Sequence, residues 1–382
     1  MLRMLAFASV VLIVPVGAQH AAPLAPPTAE WQEQIRDARA ALTRKDAEAA
    51  RAMFEAVRRS ALQRREDEAG LAAVQMLALM SRSAGDWPKT EDWLAEALDY
   101  VGRLKGPKSV EAVAVMTDIG GVRRARENFD GAAAIFEHAL GLCLAFGEPE
   151  LPRTAQIATT LGLVHLERKD KQQAAPFLRL ALDTWDKTLR EDPELLPTLD
   201  ALAALEREQS NYDQAAPLYE RSLRIREIAF GPDSAELIVA LDNLSYTYFG
   251  LLRFADAEPL YKRLLDLWIA TGGPDHPMLA LTLDKVAEFY AAQKRFAEAD
   301  TMALRAATIR AKSFTESLRL RARLASELNR PDDAIALVDK ALQVIDIAGL
   351  PKPEQKMLPA PKDAKQLPPS RPRNAKPKSS AR

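Results

Sequence analysis

The chain has 382 residues, of which 48% are hydrophobic and 27% are charged, and its formal net charge is −1. Its single cysteine, Cys143, excludes a framework of intramolecular disulfide bonds. Alanine and leucine dominate, aromatic residues make up only 6%, and no alternation typical of strands persists for long, so the composition predicts an all-α fold.

The amino terminus has the features of an export signal. Arg3 supplies a positive start, residues 4–14 form an apolar run, and Val16-Gly17-Ala18 is typical of a cleavage site. We therefore expect a signal peptide over residues 1–18 and a proline-rich leader over residues 19–30, with the protein exported to the periplasm or the cell exterior. The alternative is that the first segment stays uncleaved and tethers the protein to a membrane.

From Trp31 onward the pattern is helical, and it contains an internal repeat that is clearest between residues 212 and 301. The run Ala-Ala-Pro-Leu-Tyr at 215–219 and the run Ala-Glu-Pro-Leu-Tyr at 257–261 start 42 residues apart. Two Gly-Pro-Asp runs have the same separation. A period of this length is typical of helical hairpins that are stable only when they stack on their neighbours.

Each repeat predicts one hairpin of two helices. Leu241, Leu244 and Tyr248 recur at helical spacing and form the buried stripe of a first helix. Phe254 fills the corner between the helices, and Ala257 is small enough for the second helix to approach closely. Pro259 is expected in the first turn of the second helix, where its missing amide has no intrahelical carbonyl to bond.

The second helix of each hairpin can be followed along the chain by a small residue that precedes an aromatic residue or leucine. Its predicted starts lie near Glu48, Pro88, Asp130, Gln172, Asp213, Ala255, Ala297 and Asp332. About eight hairpins, or sixteen helices, therefore account for a solenoid over residues 31–348.

This helical unit, with small residues at the crossing and an aromatic residue in the turn, resembles the tetratricopeptide repeat. The period, the Ala-Glu-Pro-Leu-Tyr run, the Gly-Pro-Asp-His-Pro loop at 273–277 and Leu241-Asp242-Asn243-Leu244 resemble the long repeats of kinesin light chains. The resemblance implies a right-handed α-solenoid whose first helices line a concave groove for peptides or proteins. The groove asparagine of that family is matched only by Asn243; the equivalent positions hold Asp118, Thr160, Ala201 and Lys285.

The composition changes after the solenoid. Residues 351–382 contain eight prolines, nine basic residues and two acidic residues, a net charge of +7. Such a segment cannot bury enough apolar surface to fold, so we expect residues 349–382 to form a disordered tail. Its charge suits an anionic membrane surface or an acidic groove, or it serves only solubility. Nucleic acid is not expected as a partner, because no aromatic residues are interleaved with the basic ones.

The sequence contains no recognisable catalytic, metal or cofactor motif. No glycine-rich phosphate loop is present, and none of the four histidines has a metal-site spacing to another ligand. His165 is interpreted as an inter-helix packing residue, and Cys143 as a buried thiol. We therefore expect a protein that is not an enzyme and that binds no cofactor.

The candidate binding site is a groove formed by the first helices of the fifth to seventh hairpins. Tyr246 and Phe249 would provide an apolar anchor, acidic residues would form its rim, and the ligand would carry nearby basic residues. The alternative is that Phe249 packs against the next repeat. The predicted groove residues are Asp200, Asp242, Asn243, Tyr246, Phe249, Asp284 and Glu288.

These features predict an exported, non-catalytic scaffold that binds protein or peptide segments. A second hypothesis is a helical accessory subunit of an envelope enzyme or secretion assembly whose catalytic partner is another chain. A third is a membrane-tethered scaffold that retains its amino-terminal segment.

Overall fold

The computed structural model describes residues 29–147, 150–188 and 191–350. The predicted signal peptide, all of the leader except its last two residues, and the basic tail from residue 351 onward lie outside these described residues. The interpretation of those segments stays a prediction.

Across the described residues the chain forms fifteen α-helices, two short 3-10 segments and no strand. It divides into two compact units, the first ending at Phe177 and the second beginning at Leu178. The amino-terminal unit contains α1 (Ala29–Thr43), α2 (Ala47–Arg64), α3 (Asp67–Ser83), α4 (Trp87–Lys105), α5 (Val110–Ala125), α6 (Phe129–Phe146), α7 (Leu151–Glu167) and the start of α8 (Lys171–Thr188).

The carboxy-terminal unit contains the rest of α8 and the remaining helices. These are α9 (Leu196–Glu208), α10 (Tyr212–Phe230), α11 (Ile238–Gly250), α12 (Phe254–Gly272), α13 (Pro277–Ala292), α14 (Phe296–Glu327) and α15 (Pro331–Ile347). The 3-10 segments Pro193–Leu195 and Ala235–Leu237 precede α9 and α11. Consecutive helices contact each other from α1 to α7 in the amino-terminal unit and from α9 to α15 in the carboxy-terminal unit, which is the arrangement expected of stacked hairpins.

The predicted starts of the second helices are confirmed. The helices α2, α4, α6, α8, α10, α12, α14 and α15 each begin one residue before the predicted position. The predicted number of helices, however, is one too high for the described residues. The helix α14 runs without a break for 32 residues and supplies both the second helix of the seventh hairpin and the first helix of the eighth.

The absence of a break in α14 agrees with its local sequence. Several earlier junctions between hairpins turn at a glycine with positive φ, namely Gly106, Gly147, Gly231 and Gly273. The corresponding stretch of α14, around residues 310–318, contains neither glycine nor proline. No residue in this stretch interrupts a helix, so a continuous helix is compatible with it, although glycine is not required at a junction, since the first one turns at Arg65.

The turn inside each described hairpin has one recurring backbone geometry. A residue with positive φ follows the first helix every time: Lys45, Gly85, Glu127, Lys169, Ser210, Leu252, Lys294 and Asn329. At the sixth hairpin the amide of Leu252 donates to the carbonyl of Phe249 at 3.0 Å, and the amide of Arg253 donates to the carbonyl of Tyr248 at 2.9 Å. This pair of hydrogen bonds is the Schellman motif, which satisfies the last carbonyls of the first helix.

The placement of Pro259 in a first turn was wrong. The helix α12 begins at Phe254, so Pro259 is its sixth residue and lies inside the helix. The helix starts early because the left-handed Leu252 places Arg253 at the N-cap. Because proline has no amide hydrogen, the carbonyl of Ala255, four residues earlier, loses its intrahelical donor. Both Ala255 and Pro259 are exposed, so water can donate a hydrogen bond to that carbonyl.

The core of the carboxy-terminal unit continues from one hairpin to the next. Ala257, Tyr261 and Leu264 of α12 are buried, and the ring of Phe289 from α13 lies 5.1 Å from that of Tyr261. The fifth to seventh hairpins therefore bury apolar surface against one another in one shared core. In the amino-terminal unit, α6 is apolar enough over its 18 residues to cross a membrane by length and composition alone. Its residues Ala132, Phe136 and Cys143 are buried, as expected of a core helix.

Candidate functional site

The predicted groove residues lie on α9, α11 and α13, the first helices of the fifth to seventh hairpins, all within the carboxy-terminal unit. Polar side chains connect these neighbours: Arg207 of α9 donates to Asn243 of α11 at 2.8 Å, and Lys285 of α13 pairs with Asp242 of α11 at 2.7 Å. The side chains that make these bonds therefore emerge on one common surface, which we call the first-helix face.

The acidic residues of the first-helix face are largely neutralised within the protein. Asp200 accepts from Ser222 and pairs with Arg226 at 2.6 Å. Asp242 pairs with Lys285, and Asp284 pairs with Arg310 of α14. Glu288 is exposed and forms no ion pair with any other described residue. The acidic rim expected from the sequence is thus mostly a set of internal ion pairs.

The two aromatic residues of the predicted anchor have different environments. Phe249 is partly buried, and its ring lies 6.2 Å from Phe254 and 5.9 Å from Phe289 of the next hairpin. It is a packing residue, as the alternative interpretation predicted. Tyr246 is 42% exposed, and its ring faces the Arg207 guanidinium at 5.6 Å. Of these two aromatic side chains, only Tyr246 is exposed enough to contact a ligand.

A cavity of about 410 Å³ opens between α11 and α13. Its lining includes Val239, Met278 and Leu281, which are 53%, 42% and 49% exposed, and also the half-buried Trp268. Asp242 and Lys285 form part of its polar wall. Exposed aliphatic side chains grouped at a cavity are typical of a docking site for an apolar side chain.

At this cavity, one position departs from the residue pattern of the neighbouring repeats. Arg226 and Arg310 are 84 residues apart, or two periods, and each pairs with the aspartate on the first helix of its own hairpin. The intermediate position, 42 residues from both, holds Trp268, which stacks on His276 at 5.1 Å. Asp242 therefore lacks an arginine partner in its own hairpin and bonds Lys285 of the next one instead.

A family model described as tetratricopeptide repeat matches residues 69–145, 111–187, 194–264 and 243–312, which together exceed half of the chain. The chain belongs to the tetratricopeptide-repeat family. No curated protein matches it significantly.

Several solved structures are similar to this chain. BtubC (BKLC) from P. vanneervenii is 22% identical, with a TM-score of 0.49 over 64% of this chain and 92% of that one. A putative kinesin light chain repeat protein from Podosopora anserina is 18% identical, with a TM-score of 0.45 over 52% and 94%. A signal transduction ATPase from Pyrococcus horikoshii with a tetratricopeptide repeat sensor is 14% identical, with a TM-score of 0.53 over 73% and 42%. The last of these supports the fold alone.

Two residues of the predicted site of this tetratricopeptide-repeat chain, Asp242 and Asp284, line the cavity, but its apolar lining was not predicted. Val239, Trp268, Met278 and Leu281 read as ordinary helix-face residues in the sequence. Aligning the repeats at the 42-residue offset would have shown Trp268 in place of an arginine. The cavity itself requires the distance between α11 and α13, which no sequence pattern contains.

The residues interpreted as structural are buried, as predicted. His165 is 4% exposed, its ring is stacked on Phe177 at 5.4 Å, and burial lowers its pKa. Cys143 is fully buried, which raises the pKa of its thiol. Within the described ranges, no group of three or more histidine, cysteine or acidic residues could hold a metal ion.

Proposed function

We propose that this tetratricopeptide-repeat protein is an exported, non-catalytic scaffold that binds protein or peptide segments along the first-helix face. The observation that carries the proposal is the cavity between α11 and α13, where exposed aliphatic side chains stand beside polar groups. An apolar side chain of the partner would enter the cavity, and its backbone would hydrogen-bond to the polar wall.

The size of the cavity suits a side-chain anchor. About 410 Å³ accommodates one large side chain, and a few buried anchors usually dominate the binding energy of an interface. Val239 and Leu281 are separated by one repeat period, so they contribute equivalent positions from neighbouring first helices. A segment that crosses the helices would contact both residues.

Export is proposed from the amino-terminal sequence, in which Arg3, an apolar run and Val16-Gly17-Ala18 follow one another. A partner would then be found in the cell envelope or outside the cell.

The test is affinity capture from an envelope extract, quantified by mass spectrometry, with three forms of the chain. The parent protein should capture a specific set of proteins, and Val239→Asp combined with Leu281→Asp should lose it, because a charge in the cavity opposes an apolar anchor. Ile228→Asp is the matched control, since Ile228 is an exposed aliphatic residue on the second helix α10. Equal capture by all three forms, or no specific capture by the parent, would exclude the proposed site.

A further inference from the structure

Three arginines occupy the same position in three hairpins, three residues before the left-handed residue of the turn. They are Arg82, Arg124 and Arg207, which precede Gly85, Glu127 and Ser210. Because the turns share one backbone geometry, the three guanidinium groups leave their first helices at the same point.

The partners of these arginines differ in charge. Arg82 pairs with Asp118 at 3.9 Å, and Arg124 pairs with Glu167 at 2.7 Å. Arg207 donates instead to the amide oxygen of Asn243, which occupies the position equivalent to Asp118. Among the described residues, Arg207 forms no ion pair with a carboxylate. The positive charge of Arg207 is therefore not compensated by a carboxylate, whereas those of Arg82 and Arg124 are.

The acidic residues of α9 are engaged elsewhere or do not reach Arg207. Asp200 bonds Arg226 and Ser222, while Glu206 bonds Arg179 and Asn211. Glu208 is exposed and has an interaction of its own, and no ion pair joins it to Arg207.

The aromatic neighbours of Arg207 do not neutralise it either. The guanidinium lies 5.8 Å from the ring of Tyr219 and 5.6 Å from that of Tyr246. Burial raises the pKa of Tyr219 to about 12, so its phenol stays neutral at physiological pH. The two rings attract the cation through their π faces and hold it on the first-helix face.

We infer that Arg207, positioned by Asn243 and Tyr246, binds an acidic side chain of the partner segment. The inference rests on the proposed function, and it specifies the sign of the partner's charge at one point of the groove. The acidic rim expected from the sequence would favour a basic partner. Such a partner would instead meet the uncompensated positive charge of Arg207.

The geometry of Arg207 suits a carboxylate. One terminal nitrogen, Nη1, is occupied by Asn243, while Nη2 and Nε have no partner among the described residues. These two nitrogens form one edge of the planar guanidinium, and their parallel N–H groups match the two oxygens of a carboxylate. The half-buried position of Arg207 limits competition from water and strengthens such a pair.

The experiment is a selection from a random peptide library displayed on phage, using the full-length chain and three single variants. Asn243→Asp supplies Arg207 with the carboxylate that Arg82 already has in Asp118, with little change in shape. Arg207→Gln removes the charge, and Arg124→Gln is the matched control at the equivalent position. Circular dichroism checks that each variant retains the parent helix content.

The parent chain and Arg124→Gln should enrich peptides that contain aspartate or glutamate at a defined position. Asn243→Asp and Arg207→Gln should lose that enrichment. An acidic peptide selected on the parent should bind either variant at least about tenfold more weakly, and its binding to the parent should weaken as salt is added.

The outcomes separate this inference from the proposed function. If the parent enriches peptides without an acidic preference, or if both variants keep the preference, the role of Arg207 is excluded while the groove remains a peptide-binding site. If no form of the chain enriches any peptide, the proposed function fails and the inference fails with it.

Discussion

A small residue recurs near the start of every second helix in the described part of the chain, and each one is at most 9% exposed. The positions are Ala50, Thr90, Ala132, Ala174, Ala215, Ala257, Ala299 and Ala334. A larger side chain here would separate two packed helices, because protein interiors leave little unoccupied space. This residue therefore controls the distance between the helices of each hairpin.

Ala257→Leu should lower the free energy of unfolding by about 1–3 kcal/mol through overpacking. Ala257 is fully buried, whereas Ala255 on the same helix is exposed, so Ala255→Leu provides a control with the same change of side chain. Urea denaturation of the two variants and the parent measures the difference. Equal stability of all three proteins would contradict the packing described here.

Glu258 should make the stability of the protein depend on acid pH. Hydrogen bonds from Arg295 and Lys262 lower its pKa from 4.5 to about 2. Because the folded state holds the ionised form more strongly than the unfolded state does, the stabilisation is complete above pH 4.5 and is lost as the pH falls towards about 2.

The thermal midpoints of the parent and Glu258→Gln, compared at neutral pH and near the folded-state pKa, test this prediction. The variant should be less stable at neutral pH, and the difference should shrink in acid. Glu288→Gln is the control, since Glu288 is exposed and forms no ion pair with another described residue. A difference between parent and Glu258→Gln that does not change with pH would contradict the assignment.

At the scale of secondary-structure elements, the turn inside each hairpin determines where the second helix begins. Seven of the eight left-handed residues in these turns are not glycine. A side chain in this conformation costs roughly 1–2 kcal/mol, which packing of the hairpin must offset. The turn geometry is therefore imposed by the helices and not by a special residue.

Gly85→Ala should destabilise the protein by about 1 kcal/mol, and Leu252→Gly should stabilise it by a similar or smaller amount. A Cβ atom at Gly85 would meet no atom within 4 Å, so its cost is conformational and not steric. Leu252 is 69% exposed, so its removal costs little burial. Thermal unfolding of the parent and both variants measures whether each substitution lowers or raises the stability. Destabilisation by Leu252→Gly would show that this turn is not under conformational strain.

The continuous helix α14 can be tested with proline. Ser313 is exposed in the middle of this helix, near the place where earlier repeats have a turn. Ser313→Pro should cost about 3 kcal/mol, because proline removes a hydrogen bond and clashes with the preceding turn. Ser313→Ala, which keeps the helix, should change the stability little. A proline variant as stable as the parent would indicate a break between the seventh and eighth hairpins.

At the scale of the whole molecule, charge is distributed unevenly along the sequence. Residues 351–382 carry a net charge of +7, whereas the whole chain carries −1. The solenoid sequence is therefore acidic, although many of its acids form ion pairs in the structure. The basic tail and the amino-terminal segment lie outside the described residues.

We predict that the mature protein in its native host begins at Gln19 or a few residues beyond it. The apolar run at residues 4–14 and Val16-Gly17-Ala18 match the requirements of export and cleavage. Mass spectrometry of the amino-terminal peptide, after separation of cytoplasmic and envelope fractions, identifies the first residue of the protein in each fraction. Recovery of intact Met1 in a soluble cytoplasmic fraction would overturn the predicted localisation.

The all-α class, the repeat period and the starts of the second helices follow from the order of residues alone. Each hairpin is a local unit that contacts its neighbours, so its signals recur at a constant spacing. The sequence of α14, which lacks glycine and proline at the expected junction, is also compatible with a continuous helix, but the repeat led us to expect a turn there.

The chemistry of the binding face required the tertiary structure. Asp200, Asp242 and Asp284 are equivalent in the sequence, yet two pair with an arginine in the same hairpin and Asp242 pairs with Lys285 in the next. Arg207 is likewise equivalent to Arg82 and Arg124, but it alone of the three lacks a carboxylate partner within the described residues. Such differences depend on distances between side chains on neighbouring helices, which a repeat period does not contain.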